Sequence, residues 1–362
     1  MRTQHFEQLS PVCPRCRADG TGDFALSIAS VLVAHDDDVL QGVLHCTGAH
    51  CQQEFPIVDG IPLLVANVRA FVAENIVSLQ QRDDLHPVVN SLLGDCAGPG
   101  SAFDTTRQHL SIYGWDSYAD LDPGEPVVDG AAQPGAVVRC VAACNDLAPP
   151  PADGPVLDAG CSVGRSTLEL ASHTTGIVLG VDLHLPMLRM ARRALSQGRV
   201  RYPRRRVGLV YDERDFAVSF DGSDRVEFWA CDALNLPFRD ASFNHSVALN
   251  LLDCVQSPVD LLRETRRCLK ENAAAVLSTP YDWSPAATPV EAWLGGHSQR
   301  GPDGGASEAM LQRLLTAGAH PQAVAGFEIL AQHPAFPWHT RLHDRSIMSY
   351  ALHLVAARAA GA

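Results

Sequence analysis

Val156-Leu157-Asp158-Ala159-Gly160-Cys161-Ser162-Val163-Gly164-Arg165-Ser166 decides the fold. A short apolar run carries an acid near its end. Gly160 and Gly164 then frame a turn, and a helix opens at Arg165. Glycine has no Cβ, so the backbone can reverse sharply there and approach a ligand closely. Further apolar runs follow at Ile177–Val181, Val226–Ala230, Ser246–Leu249 and Ala274–Ser278. Helical patterns lie between them at Arg165–Ser172, Leu185–Ser196 and Val259–Leu269. This βαβ alternation predicts an α/β fold with a doubly wound, Rossmann-like parallel sheet, whose ligand lies beyond the carboxyl ends of the strands.

Acids recur at those ends. Asp182, beside Leu183, closes the second strand about 20 residues past the glycine turn, where a carboxylate accepts hydrogen bonds from ribose hydroxyls. Asp232, between Cys231 and Ala233, closes the third and suits an exocyclic adenine amine, while Asn250 ends the fourth. The candidate cofactor residues are therefore Asp158, Gly160, Cys161, Gly164, Arg165, Ser166, Asp182, Leu183, Cys231, Asp232, Ala233 and Asn250.

As an ensemble these motifs resemble class I S-adenosylmethionine-dependent methyltransferases. A dinucleotide-dependent dehydrogenase has a tighter Gly-x-Gly-x-x-Gly turn. The Leu236-Pro237-Phe238 to Phe243 segment before the fourth strand also fits the methyltransferases better. The resemblance implies S-adenosylmethionine as cofactor and a domain spanning residues 154–362.

Upstream, Cys13-Pro14-Arg15-Cys16 and Cys46-x4-Cys51 form two cysteine pairs separated by strand-like runs at Ala25–Ala34 and Val39–Leu44. Four thiolates suit a tetrahedral structural Zn²⁺. The strand-like run Phe55–Val65, turning at Asp59-Gly60, is similar to the small zinc-ribbon activator subunits of methyltransferases. Residues 1–68 are thus expected to be a zinc-ribbon domain and 69–153 a linker and helical cap. Within the cap, Phe71–Leu79 and Val137–Leu147 read as helices, and Gly94–Gly100 and Pro123–Pro134 as loops. The other seven of the 11 cysteines are scattered, and no disulfide framework is expected.

The substrate elements lie outside the cofactor core: the Arg199–Asp224 insertion, Asn250-Leu251-Leu252-Asp253, Thr279-Pro280-Tyr281-Asp282-Trp283, Trp293-Leu294-Gly295-Gly296 and His339–Arg345, this last read as lying between the two final strands, Ala325–Gln332 and Ile347–Ala356. The set resembles the 4-mercaptohistidine N1-methyltransferase family of ovothiol synthesis. It departs from that pattern at Cys254, at Ser284–Ala287 and in carrying the cysteine module. The resemblance implies methyl transfer to nitrogen or sulfur of a small amino-acid-like or imidazole-type metabolite. Asp253, Tyr281 and Asp282 are the candidate catalytic residues. Asn250, Asp253, Tyr281, Trp283, Trp293, Arg341 and His343 are the candidate substrate contacts.

The formal net charge of −13 argues against a nucleic-acid partner, because such affinity comes largely from neutralising phosphates. The one dense basic cluster, Arg199, Arg201, Arg204, Arg205 and Arg206, reads as a solvated loop facing acidic neighbours. The competing readings are a ribosomal-RNA guanine methyltransferase, which also carries a zinc-binding element ahead of its Rossmann domain, and a non-catalytic binding protein on the same scaffold. No membrane span and no signal segment are seen, so a cytoplasmic location is expected. The oligomeric state has no signature in the sequence.

Overall fold

A computed structural model describes residues 1–81, 85–126 and 132–360, so part of the expected Pro123–Pro134 loop lies outside the described residues. Two short helices, α1 (Thr3–Leu9) and α2 (Pro14–Ala18), precede four strands: β1 (Leu26–His35), β2 (Asp38–Cys46), β3 (Glu54–Val58) and β4 (Ile61–Leu64). These four pair antiparallel in order. Asp59 (φ 54°) and Gly60 (φ 77°) are both left-handed, as the tight β3–β4 hairpin requires. Four helices follow: α3 (Val68–Gln80), α4 (Pro87–Ala97), α5 (Ala102–Tyr118) and α6 (Ala136–Leu147).

The alternating part runs β5 (Val156–Ala159), α7 (Arg165–Leu170), β6 (Val178–Asp182), α8 (Leu185–Gln197), the hairpin β7 (Arg199–Val207) and β8 (Val210–Ala217), then β9 (Val226–Cys231) and β10 (Phe243–Leu249). It ends with α9 (Pro258–Cys268), β11 (Leu269–Thr279), α10 (Ser307–Leu314), β12 (Phe327–His343) and β13 (Ser346–Ala359). One 11-stranded sheet has the order β1-β2-β3-β4-β9-β6-β5-β10-β11-β13-β12. Its centre is parallel, and at the far edge β13 runs antiparallel to both β11 and β12. The N-terminal strands continue this sheet, because β4 lies parallel to β9 with Leu63 opposite Ala230 and Leu64 opposite Cys231. Two hydrophobic layers cover the faces. One includes Phe55, Trp229 and Leu262; the other includes Tyr118, Leu188 and Phe228. No helix among the described residues is long and apolar enough to cross a membrane.

Several expectations are corrected. Gly94–Gly100 is not all loop: α4 runs to Ala97, because Gly94 lets the helix pack on Arg107, whose Nη1 would lie 1.8 Å from any Cβ there. The basic cluster is a β-hairpin rather than a loop, held by cross-strand ion pairs. Residues 339–343 do not lie between the last strands. They are inside β12, which extends to His343 because its partner β13 pairs with it as far as the turn.

Candidate active site

The glycine turn is built as its residue types demand. Gly160 (φ 74°), Ser162 (φ 52°) and Gly164 (φ 87°) are all left-handed. A Cβ on Gly164 would sit 2.6 Å from both Ala191 and the Phe228 ring, so only glycine lets α7 close against β9 and α8. A Cβ on Gly160 would meet Leu251 at 2.8 Å. The main-chain N–H groups of Gly160 and Cys161 both donate to Val181 O, tying the turn to the next strand. Asp158 is buried, and its Oδ2 accepts from Ser166 Oγ and Thr167 Oγ1 at 2.6 Å each. Burial pushes its carboxyl up to about 6, and its Oδ1 has no partner among the described residues. Asp158 and Ser166 thus brace the turn from beneath.

Register brings the other strand tips together. Asp182 lies opposite Ala230 on the neighbouring parallel strand, two residues before Asp232. Asp182 accepts from Ser162 N (2.9 Å) and His184 N (2.8 Å), one bond to each oxygen, which fixes its orientation beside the glycine turn. Asp232 Oδ1 accepts from Leu234 N at 2.9 Å. Asn250 (φ 52°) accepts at its side chain from Ser278 Oγ (2.9 Å), and its N–H donates to Ser278 O (2.8 Å). Leu183 is exposed beyond Asp182, while Cys161 and Cys231 are buried with thiols raised by burial. Arg165 turns its side chain the other way. It donates to Ser117 O and Asp120 and lies over the Phe220 ring, anchoring α7 to the helical segment. An adenosyl ligand fits this cradle: two carboxylates at adjacent strand tips beside a turn with no room for side chains.

At the next two tips the polar groups interlock. Asp253 is buried and accepts from Thr279 Oγ1 (3.2 Å) and Asp282 N (2.8 Å). Burial, and then the nearby Asp282, push its carboxyl above the usual range, against the hydrogen bonds that lower it. Asp282 Oδ2 accepts from Tyr350 OH at 2.8 Å. Tyr281, with a left-handed φ of 54°, has its hydroxyl 2.7 Å from His353 Nδ1, and His353 Nε2 is 2.9 Å from Gln332 Oε1. Trp283 and Trp293 stack on each other at 6.1 Å and are held by Ser307 Oγ and Thr288 O. Arg341 is buried, and its Nη2 is committed to Asp344 and Arg205 O. His343 Nδ1 accepts from Arg345 N in the β12–β13 turn.

Three contributors escaped the sequence reading: Tyr113, Tyr350 and the His353–Gln332 pair. Tyr113, on α5, keeps 39% of its surface in solvent. Its phenol is nonetheless raised above its ordinary value by burial, with Cys254, Asp116, Asp182 and Asp253 adding to the shift. Its neighbour on the same helix, His109, meets His184 at 5.7 Å, and burial lowers the pKa of both rings.

Away from this site, the sulfurs of Cys13, Cys16, Cys46 and Cys51 all lie within 4.8 Å of one another. Cys13–Cys51 and Cys16–Cys46 are each 3.8 Å apart, and Gly48 N–H points at Cys46 Sγ.

A family model described as a methyltransferase domain matches residues 157–277, the stretch from the glycine turn through β11. Among solved structures, a phosphoethanolamine N-methyltransferase 2 of Haemonchus contortus is similar at 20% identity over 39% of this chain, with a TM-score of 0.31. The chain spans only 28% of that protein's length. An S-adenosylmethionine-dependent methyltransferase of Methanosarcina mazei matches at 23% identity over 58% of this chain and 94% of its own, with a TM-score of 0.39. The YcgJ protein of Bacillus subtilis matches at 14% identity over 63% and 99%, with a TM-score of 0.38. The residues matched as a methyltransferase domain, 157–277, are the ones that carry the glycine turn and the strand-tip residues Asp182, Asp232 and Asn250.

Proposed function

We propose that the enzyme methylates nitrogen or sulfur of a small amino-acid-like or heteroaromatic metabolite, imidazole-type rings among them. The observation that carries this reading is the acceptor end. Asp253 and Asp282 are linked by a main-chain hydrogen bond directly after two strand tips, and Tyr350 OH donates to Asp282. Such an acidic and phenolic cluster suits a small polar ring better than a nucleic-acid strand. The arginines of the hairpin support the same reading, because each of those five faces an acid or a carbonyl: Arg199 on Asp215, Arg201 on Glu213, Arg204 on Glu125 and Asp344, Arg205 on Gly208 O, and Arg206 on Asp212. That leaves little free positive charge for the competing RNA-methyltransferase reading.

S-adenosylmethionine, when bound, supplies an electrophilic methyl group on a sulfonium. Asp182 and Asp232 would hold the sugar and base, and Asn250 would border the reacting end. The protein's main work is alignment and exclusion of water. A neutral ring nitrogen attacks in line, and the proton then left on the product passes to a base. Asp253 suits this, since its raised pKa makes it a better acceptor and each of its oxygens keeps a lone pair beyond its present bond. Tyr281 and the Trp283–Trp293 stack would flank a planar ring, and their faces favour passing positive charge. The reading makes little use of Arg341, whose Nη2 is held by Asp344 and by Arg205 O, or of His343, whose Nδ1 accepts from Arg345 N.

The four cysteines would hold one structural Zn²⁺. A zinc–sulfur bond of about 2.3 Å puts tetrahedral sulfurs about 3.8 Å apart, and two of the sulfur pairs have that spacing. In this reading residues 1–68 are the zinc ribbon, 69–153 the cap and 154–362 the methyltransferase domain.

The test is purified protein with methyl-labelled S-adenosylmethionine, offered separately to imidazole- and thiol-bearing metabolites and to bulk RNA. Label should enter the small-molecule pool. Label in RNA overturns the acceptor assignment, and no transfer to any pool favours a binding protein. With the acceptor found, Asp253→Asn should lower kcat by about 100-fold while leaving KM for the cofactor within about threefold.

A further inference from the structure

The two ends of the 11-stranded sheet are guarded differently. At one end β12 pairs only with β13 among the described residues, and it carries Pro334 and Pro337. Proline has no N–H, so those positions deny a ladder to any further strand. At the other end β1 pairs only with β2 among the described residues. Its start is closed off, since Leu26 N donates to Pro11 O and Ala25 bridges Val12. From Ser27 to Ala34 no strand among the described residues lies on its outer side, and this stretch holds no proline and no charge.

The exposed side chains of that stretch are all apolar. Ala29 and Ala34 are exposed, and Val31, Leu32 and Val33 keep 51%, 67% and 43% of their surface in solvent. Successive residues of a strand point to opposite faces, so β1 offers apolar surface on both faces beside an open ladder. Bulges at Ala29 and Leu32 sharpen its twist without placing a charge on it. An apolar edge of this kind is a template for strand addition.

The same residues say which strand is added. Val31-Leu32-Val33 reads alike in both directions, with the small residues Ser30 and Ala34 on either side. Such a segment pairs with itself antiparallel about a two-fold axis through Leu32, with Val31 facing Val33 of the second copy. The acids fit that arrangement. Asp36 and Asp37 are exposed at the β1–β2 turn. Antiparallel pairing sets Asp36 opposite Ile28 of the second copy. At about 3.4 Å per residue it holds the two Asp36 carboxylates about 27 Å apart, well beyond a screening length of about 8 Å. Parallel pairing would set the acids side by side.

We infer that β1 is a self-association edge, through which two copies of the chain pair antiparallel over residues 29–35 and join their sheets into one. Strands β2, β3 and β4 stand between β1 and β9, so the contact leaves the cofactor cradle untouched. The inference does not depend on the identity of the methyl acceptor.

Light scattering on the whole protein over a range of concentrations tests it, and should show a concentration-dependent dimer. Leu32→Lys puts like charges opposite each other at the axis and should weaken that dimer by about tenfold or more. S-adenosylhomocysteine affinity should stay within about twofold. Leu32→Cys gives a second test should Leu32→Lys fail to fold. Facing α-carbons of an antiparallel pair lie about 4.5–5.5 Å apart, within a disulfide's span. Mild oxidation should therefore cross-link this variant into a dimer far faster than the parent. A monomer at every concentration overturns the inference, as does an undiminished dimer in Leu32→Lys. Failure of Leu32→Cys to cross-link overturns it too, and so does open-ended aggregation in place of a closed dimer.

Discussion

Two residues carry opposite lessons. Asp182 is oriented by two main-chain N–H groups before any ligand arrives, so its cost is already met by the fold. Asp182→Ala should therefore weaken S-adenosylhomocysteine by about 10- to 100-fold, the range expected for lost hydrogen bonds to a charged group. Calorimetry measures this, with circular dichroism checking that the fold survives. His245 is the reverse case. It sits on β10 between Val156 and Ala274, is buried, and has no partner at either ring nitrogen among the described residues. Burial lowers its pKa to about 4. The folded value lies below the ordinary one near 6.5, so the neutral ring's stability is fully present above about pH 6.5 and is lost as pH falls toward 4. His245→Leu should remove that loss, gaining on the order of 2–3 kcal/mol relative to the parent at pH 4 compared with pH 7.5. Urea unfolding at the two pH values measures it, and an equal difference at both would rule out the cause given.

At the scale of elements, α5 shows what a sequence hides. Its first three turns bury only Asp104, Arg107, Ser111 and Gly114, polar and small residues at helical spacing, before Trp115 to Tyr118 close the helix. Apolar periodicity therefore misses it, and with it Tyr113. Two of those residues find partners distant in sequence: Ser111 Oγ accepts from Arg205 N, and Tyr118 OH donates to Val163 O. The β7–β8 hairpin is hidden for a related reason, because its alternation is of charged rather than apolar residues. The parallel strands β5, β6 and β9, buried on both faces, are legible as mainly apolar runs, interrupted by Asp158 in β5 and Glu227 in β9, and Asp182 and Asp232 are legible at the ends of β6 and β9. Gly114 tests the α5–hairpin contact. Glycine-to-alanine inside a helix ordinarily stabilises by up to about 1 kcal/mol. Here the added Cβ would lie 2.7 Å from the ring of the fully buried Tyr202. Gly114→Ala should lower the melting temperature. A rise would mean that α5 is not seated on the hairpin as described.

At the scale of the whole molecule, the question is whether the cysteine-bearing segment is an appendage or part of the catalytic sheet. β4 occupies the edge of β9, the strand that ends just before Asp232. Around that edge, Arg2 Nη1 donates to Val226 O, Val12 N to Pro237 O, and Asn235 Nδ2 to Pro14 O. Phe6 meets the fully buried Trp229 at 6.3 Å, and Trp229 in turn stacks on Phe238. Removing residues 1–68 would uncover an apolar strand edge and one side of Trp229 together, which is the exposure that drives edge-to-edge association. A chain of residues 69–362 should therefore be recovered aggregated, and any soluble fraction should bind S-adenosylhomocysteine at least about tenfold more weakly than the whole protein. Chelating the metal expected at the four cysteines should act in the same direction but less severely, because β4 keeps its bonds to β9 when the sulfur cluster loosens. Light scattering and calorimetry on the truncated chain decide between the two views. A monodisperse protein with unchanged cofactor affinity would make the ribbon a separable module, and β9 would then be stable as a free edge.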